Sequence, residues 1–391
     1  MKTQTELCGG PDAAGDPHGA VVPPTYGNST FAFASWADAE AAFDDPHGSF
    51  IYSRGNNPTV RAAERAIARL CGGDDCRLFA SGMGAIAAVT MHCLSEGGHA
   101  VVVRGAYGPT RSLFHEFLTP KLGVRVTEVD GRDPGDFEAA VRQDTQLVYL
   151  ESPTSGLFEL QDLAAVAKLC RPLGVPTAID NSWASPLFQR PLDLGIDYEI
   201  HSATKYLGGH GDLIGGVVVA SKSRIRKLAF ECLHLGATMS PQTATQLTRS
   251  LRTLVPRMRV HESNALAVAR FLDAHPKVEM VRCPGLLGYP QSELAASQMT
   301  GCGGLMSLRL KSGRVEDARR FVDALRLFRI GVSWGGHESL VFAPAIAYRR
   351  EQPPERVAAT GISERDVRLS VGLEDSGDLI EDLRAALAET L

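Results

Sequence analysis

The segment "SATKYLGGHG" (residues 202–211) sets one lysine between a serine–threonine pair and a run of glycines. It continues "YEIHSATK" (198–205), which reads as a strand ending at that lysine. An ammonium is strongly hydrated and sits on a flexible stem, so a purely structural lysine belongs on a surface. At a strand end, beside hydroxyls and glycines, Lys205 reads instead as a nucleophile able to form a Schiff base.

Around this segment, strand-like and helix-like stretches alternate from about residue 57 to 240. "TVRAAERAIARL" (59–70) carries Val60, Ala63, Ile67 and Leu70 at helical spacing, and "CGG" stops it. "SGMGAIAAVTMHCL" (81–94) places Met83, Ile86, Met91 and Leu94 on one helix face, with Ser81 as N-cap. Short apolar runs predict buried strands: "AVVVRG" (100–105), "QLVYLESP" (146–153), "PTAIDN" (176–181) and "LIGGVVVA" (213–220). "LQDLAAVAKLCRPLG" (160–174) lies among them as an amphipathic helix. Such alternation predicts the α/β class, with a mostly parallel sheet between helices. Beyond about residue 240 the pattern changes to a long helical stretch (240–276) and then to alternating strands. In "LMSLRLK" (305–311), Met306, Leu308 and Leu310 alternate with Ser307 and Arg309, and in "VRLSVGLED" (367–375) Val367, Leu369 and Val371 alternate in the same way. That predicts a smaller α+β domain with a half-exposed sheet. The expected organisation is an N-terminal arm over 1–56, an α/β domain over 57–240 and a C-terminal domain over 241–391.

Composition narrows the function classes. A formal charge of −5 and a pI near 6.1 argue against nucleic acid or an anionic membrane as the main partner. No apolar run approaches the roughly 20 residues of a bilayer span, and the start of the chain reads as a flexible leader without an apolar signal core. The eight cysteines are scattered with no CxxC pair, and Cys71 and Cys76, separated by "GGDD", make a poor zinc signature alone. Reduced, mostly buried thiols, a cytoplasmic location and no metal are the expectations.

In an open parallel sheet, ligands bind beyond the carboxyl ends of the strands, and polar residues gather there. "IDNSWASP" (179–186) leaves Asp180 at a strand end, "ESPTSG" (151–156) closes another strand, and "SGMG" sits where a loop enters a helix. A cofactor with a ring nitrogen, a phosphate and an aldehyde accounts for all of these together. Asp180 would keep the ring nitrogen protonated. The helix start at Gly82 and Met83 would offer N–H groups to the phosphate, aided by Ser202 and Thr204. Lys205 would take the aldehyde, and Tyr107 in "GAYGPT" (105–110) would lie on the ring. That cofactor is pyridoxal 5′-phosphate. Singly, each residue has a plainer reading as a turn, a helix start or a packing aromatic; "SGMG" fits neither GxGxxG nor GxxxxGK(S/T). The conjunction carries the weight.

These motifs resemble the cysteine/methionine-metabolism (trans-sulfuration) family of fold-type I pyridoxal-phosphate enzymes. The family includes cystathionine β-lyase, cystathionine γ-synthase, methionine γ-lyase and homoserine sulfhydrylases. "YSRGNNPT" (52–59), "SGMGA" (81–85), "ESPTSG", "IDNSWASP", "SATKYLGGHGDLIGG" (202–216), "SWGGHESL" (333–340) and "VRLSVGLED" carry the resemblance. It implies a mostly parallel seven-stranded sheet and Schiff-base formation at Lys205. It also implies Tyr107 and Asp180 as catalytic partners, and cofactor contacts from Ser81, Gly82, Met83, Ser155, Ser202 and Thr204. Tyr52 and Arg54 would reach the phosphate of a neighbouring subunit, making a dimer of dimers with shared sites. Arg368, with Ser333 and Trp334, would hold the substrate carboxylate. "AYGPT" and "SWGGHESL", with His337 where a tyrosine is usual, look most like bacterial cystathionine β-lyases, whereas "NPT" in the first motif is of the γ type. The expectation is therefore β-elimination from cystathionine or a related sulfur amino acid, releasing a thiol, pyruvate and ammonia. A γ-elimination or γ-replacement enzyme is the alternative, and a cofactor-binding scaffold without activity a further one. His337 is expected to be a polar side chain at the site mouth without a catalytic role.

Overall fold

Helix signals act where the sequence places them. The Asn57 side chain accepts from Thr59 N at 2.9 Å and caps the helix Pro58–Cys71, which Gly72 ends at φ 73°. Ser81 caps the helix Gly82–Cys93 in the same way. These features belong to a computed structural model, described over residues 2–9, 18–344, 346 and 360–390.

The first sheet has seven strands: β1 (Asp75–Phe79), β2 (His99–Val103), β3 (Arg125–Val129), β4 (Thr145–Glu151), β5 (Thr177–Asp180), β6 (Tyr198–Ser202) and β7 (Gly216–Ala220). Their order is β1-β7-β6-β5-β4-β2-β3. All neighbours are parallel except β7, which runs antiparallel to both β1 and β6. This is the α/β arrangement expected. One face packs on the helices Gly82–Cys93, Leu163–Cys170 and Lys222–Leu235, the other on Pro58–Cys71 and Pro241–Leu251. A second sheet joins β8 (Val278–Arg282), β9 (Leu305–Leu310), β10 (Arg329–Ile330), β11 (Leu340–Phe342) and β12 (Asp366–Ser370) in the order β10-β11-β12-β9-β8. Among the described residues, no helix is long and apolar enough to cross a membrane.

Several expectations need correction. The first residues are not a plain leader: Thr3–Leu7 is helical, and Leu7 is buried in the same cluster as Leu70. Met91 does not join the inner face of its helix; it is 36% exposed, while Ala85, Ala88 and Val89 fill that face. Small residues let this helix approach the sheet closely. The stretch 240–276 breaks at Arg252–Thr253 into Pro241–Leu251 and Leu254–Asp273. The second sheet is less exposed than its alternation predicts. Ser307 is fully buried, and Asp366 joins Arg309 at 2.7 Å and Arg282 at 3.3 Å across that polar face. Strands β1 and β3 were not foreseen: "DCRLF" and "RVTEV" are short and too polar to read as apolar runs.

The antiparallel β7 brings Gly216 beside the start of the Gly82–Cys93 helix. A Cβ on Gly216 would run into the backbone carbonyl of Ser81 and lie 2.9 Å from Ala85 Cβ. Gly216→Ala should therefore destabilise the cofactor-free protein by about 1–3 kcal/mol and displace the helix start. Denaturant unfolding of both proteins checks it.

Candidate active site

The parallel strands β4, β5 and β6 end together at one edge of the sheet, with Glu151, Asp180 and Ser202 as their last residues. Beyond that edge lies a cavity of about 220 Å³. Ser81, Gly82, Met83, Tyr107, Ser155, Asp180, Ser202, Thr204, Lys205 and Trp334, all singled out in the sequence, line it. Ser333 adjoins it: the Lys205 Nζ donates to Ser333 Oγ at 2.8 Å and lies 5.2 Å from the Trp334 ring centre. Arg368, on β12, donates to Val332 O at 2.8 Å and lies over the Phe342 ring. Thr204 also braces the loop, its hydroxyl accepting from Gly215 N at 3.1 Å. His337 is 62% exposed and pairs with Glu338 at 3.2 Å. Tyr52 and Arg54 are not among the residues lining their own chain's cavity; Tyr52 is 49% exposed, with the Arg54 guanidinium 5.6 Å from its ring centre.

Local bonds fix the cavity floor. Ser182 donates to Asp180 Oδ1 from both its hydroxyl, at 2.5 Å, and its backbone N–H, at 2.9 Å. The same hydroxyl accepts from Ser202 N at 2.6 Å. The backbone around Lys205 is pinned as well. Its N–H donates to Ser202 O at 3.1 Å, and its carbonyl accepts from Gly209 N at 2.7 Å. Arg257 donates to Tyr206 O at 2.7 Å, and the Tyr206 hydroxyl accepts from Gly304 N at 2.6 Å.

Electrostatics follow from burial. Burial pushes the Lys205 amine down to about 8, helped by the Arg368 guanidinium and opposed by Asp180. Burial pushes the Asp180 carboxyl up, while the Ser182 hydrogen bonds, His201 and Lys205 pull it down. Glu151, Ser182, Trp183 and Ile214 line the cavity too and were missed in the sequence. A carboxylate closing an apolar strand run, as Glu151 does, was the available signal. Behind the sheet edge, Cys71, Glu199 and His201 bring their donor atoms within 4.8 Å of one another. His201 Nε2 and Glu199 Oε1 are 2.8 Å apart, a hydrogen bond that Asn181 joins by donating to the same oxygen.

The donor set fits pyridoxal 5′-phosphate. The first N–H groups of the Gly82–Cys93 helix have no intrahelical acceptor and suit a phosphate. Gly82 lets this helix start sit close against the end of β6, since a Cβ there would lie 2.9 Å from Ser202 Cβ. A family profile for Cys/Met metabolism PLP-dependent enzymes matches residues 4–388. The chain belongs to that family. Its cofactor is pyridoxal phosphate. The chain is 41% identical to L-methionine gamma-lyase of Pseudomonas putida over 374 residues, covering 95% of this chain and 94% of that protein. It is 38% identical to cystathionine gamma-lyase of Bacillus subtilis (strain 168) over 388 residues, 99% of each. The structure of cystathionine gamma synthase from Xanthomonas oryzae pv. oryzae in complex with cystathionine superimposes with a TM-score of 0.93 at 37% identity, covering 100% of this chain and 98% of that one. The leaning toward cystathionine β-lyase thus gives way to γ-type relatives. "AYGPT" and "SWGGHESL" are short stretches, and the likeness to γ enzymes runs along almost the whole chain.

A family member needs a free amine to capture its cofactor. With Lys205 depressed to about 8, the free-amine fraction grows roughly tenfold per pH unit below that value and levels off above it. The rate at which cofactor-free protein turns yellow with pyridoxal phosphate should follow that curve, well short of the value near 10.4 for a free lysine. In Lys205→Ala the yellow species should not form, and turnover should fall by at least the roughly 10²–10⁴-fold that a general base supplies. Stopped-flow absorbance against pH measures the first, and steady-state assays the second.

Proposed function

We propose that this trans-sulfuration enzyme acts by γ-elimination or γ-replacement on a sulfur amino acid or an O-activated homoserine. The observation that carries this reading is the identity of about 41% with a methionine γ-lyase along 95% of the chain. Bound pyridoxal phosphate supplies an electron sink for negative charge at the substrate α-carbon. Arg368 grips the substrate α-carboxylate with its planar fork, aided by Ser333. Tyr107 takes a proton from the incoming ammonium. Asp180 keeps the ring nitrogen protonated. Lys205, freed as the substrate amine displaces it, removes the α-proton and, for γ-chemistry, a second proton from the neighbouring β-carbon. One amine on a flexible stem serves both positions.

A β-lyase is the second reading, favoured by Trp334 in "SWGGHESL", which lines the cavity. Product analysis on cystathionine separates the two. γ-Cleavage yields 2-oxobutyrate and cysteine, the expected result; β-cleavage yields pyruvate and homocysteine. Consumption of O-succinylhomoserine with a thiol would assign replacement instead. A protein that stays colourless with added cofactor and inert toward all of these would overturn the enzyme reading.

The proposal extends to the assembly. Residues 57–240 carry the cofactor site, 241–391 supply the carboxylate clamp, and 1–56 form an arm that delivers Tyr52 and Arg54 to the cofactor phosphate of a second copy. Their exposure outside their own cavity supports this, and a dimer of such dimers is the proposed assembly. Arg54→Ala should weaken cofactor binding, and Arg54→Lys should restore it only partly, because an ammonium lacks the fork that matches phosphate. Mixing Arg54→Ala with Lys205→Ala protomers should return activity, since one site of each hybrid then receives both intact residues. Inactive hybrids of stable dimers, or a fully active monomer, would count against shared sites.

A further inference from the structure

The last residues of β4 and β5 pair in register, Glu151 against Asp180. Both line the cavity, and Glu151 is only 5% exposed. Two carboxylates side by side in a water-poor site do not both ionise without a large penalty. Their partners are unequal. Asp180 receives two hydrogen bonds from Ser182 and lies within the field of Lys205 and His201, all of which favour the anion. Glu151 also accepts hydrogen bonds, from Tyr107 N at 2.8 Å and from Ser155, and these favour its anion; but no cation is among the groups acting most strongly on it, and burial and the Asp180 charge outweigh those donors. From its own strand the buried Tyr149 hydroxyl faces it, and from β5 Asp180 does.

We infer that Glu151 is the neutral member of a buried carboxyl dyad: it remains a carboxylic acid, anchors the Tyr107 turn through its N–H, and leaves the negative charge of the cavity floor on Asp180 alone. Glu151 is a positioning residue, acting on the cofactor through Tyr107 and Asp180. Burial and the neighbouring Asp180 charge push its carboxyl up to about 8, in keeping with this role. Were Glu151 ionised at neutral pH, its charge would push the Asp180 carboxyl up further, and the two would compete for one proton. The inference rests on the cofactor assignment for its consequence, but the dyad itself belongs to the protein.

Infrared difference spectroscopy tests it on protein with and without pyridoxal phosphate. At neutral pH, wild type minus Glu151→Gln should show a carbonyl band of a protonated carboxyl. That band should fade as pH rises through about 8. Glu151→Gln keeps an acceptor for Tyr107 N–H and a neutral group beside Asp180, so its cofactor affinity should stay within about twofold and the visible spectrum of its bound cofactor unchanged. Glu151→Leu removes the acceptor and should lower affinity by more than about tenfold. The absence of a protonated-carboxyl band, or a loss beyond about tenfold in Glu151→Gln, overturns the inference. If Glu151→Gln does not fold, titration of wild type alone decides: no carboxyl band lost between neutral and alkaline pH is the overturning result. A protein that binds no cofactor yet shows the band would sink the cofactor reading and leave the dyad standing.

Discussion

The Ser182 hydroxyl is the joint on which the site depends. It donates to Asp180 at the end of β5 and accepts from the backbone of Ser202 at the end of β6. One oxygen thereby sets the spacing of two strand ends and presents one edge of a buried carboxylate. A charge in such a place persists only if hydrogen bonds replace the water it has lost. Fixing Ser202 also fixes the turn that bears Lys205, because the Lys205 N–H bonds back to the Ser202 carbonyl. The Lys205 amine and the Asp180 carboxyl are thus held by one continuous set of bonds.

The second sheet completes the site from the other side. Its strand β12 carries Val367 and Leu369 into the core and leaves Arg368 on the opposite face. The loop before β11 brings Ser333 to the Lys205 amine. The Arg368 charge contributes to the depression of that amine, after burial. The group proposed to grip a carboxylate therefore also helps lower the basicity of that amine. Binding of an anionic substrate would offset part of that field, so the amine would gain basicity as substrate arrives.

Much of this was legible in the sequence because strand ends in an α/β fold are where polar residues have a reason to interrupt apolar runs. Asp180, Ser202 and Lys205 stood out for that reason, as did Ser81, whose cap obeys local rules. Glu151 did not stand out, although it closes a strand in the same manner, because one carboxylate after "QLVYL" reads equally well as a simple strand stop. Ser182 was hidden in what looked like a turn after Asp180. Strand β1 escaped because its pairing with β7, across well over a hundred residues of chain, leaves no local mark. The leaning toward β chemistry rested on a few residues near the mouth, which weigh little against the likeness of the whole chain to γ-type relatives. Tyr52 and Arg54 have no role that one copy of the chain can display.

The reversal of direction between β6 and β7 has a consequence for time. Because β7 returns antiparallel beside β6, the segment 203–215 that bears Lys205 is fastened at both ends, with Arg257 and Gly304 holding Tyr206 next to it. Hydrogen bonds hold the backbone on either side of the amine. Movement of the amine is left to its four-carbon stem, whose rotamer changes belong to the picosecond-to-nanosecond range rather than the microsecond-to-millisecond range of loop gating. If Lys205 carries protons as proposed, its own movement is fast, and the slow steps of the cycle would lie in the substrate's entry, its bond cleavage or the release of its products.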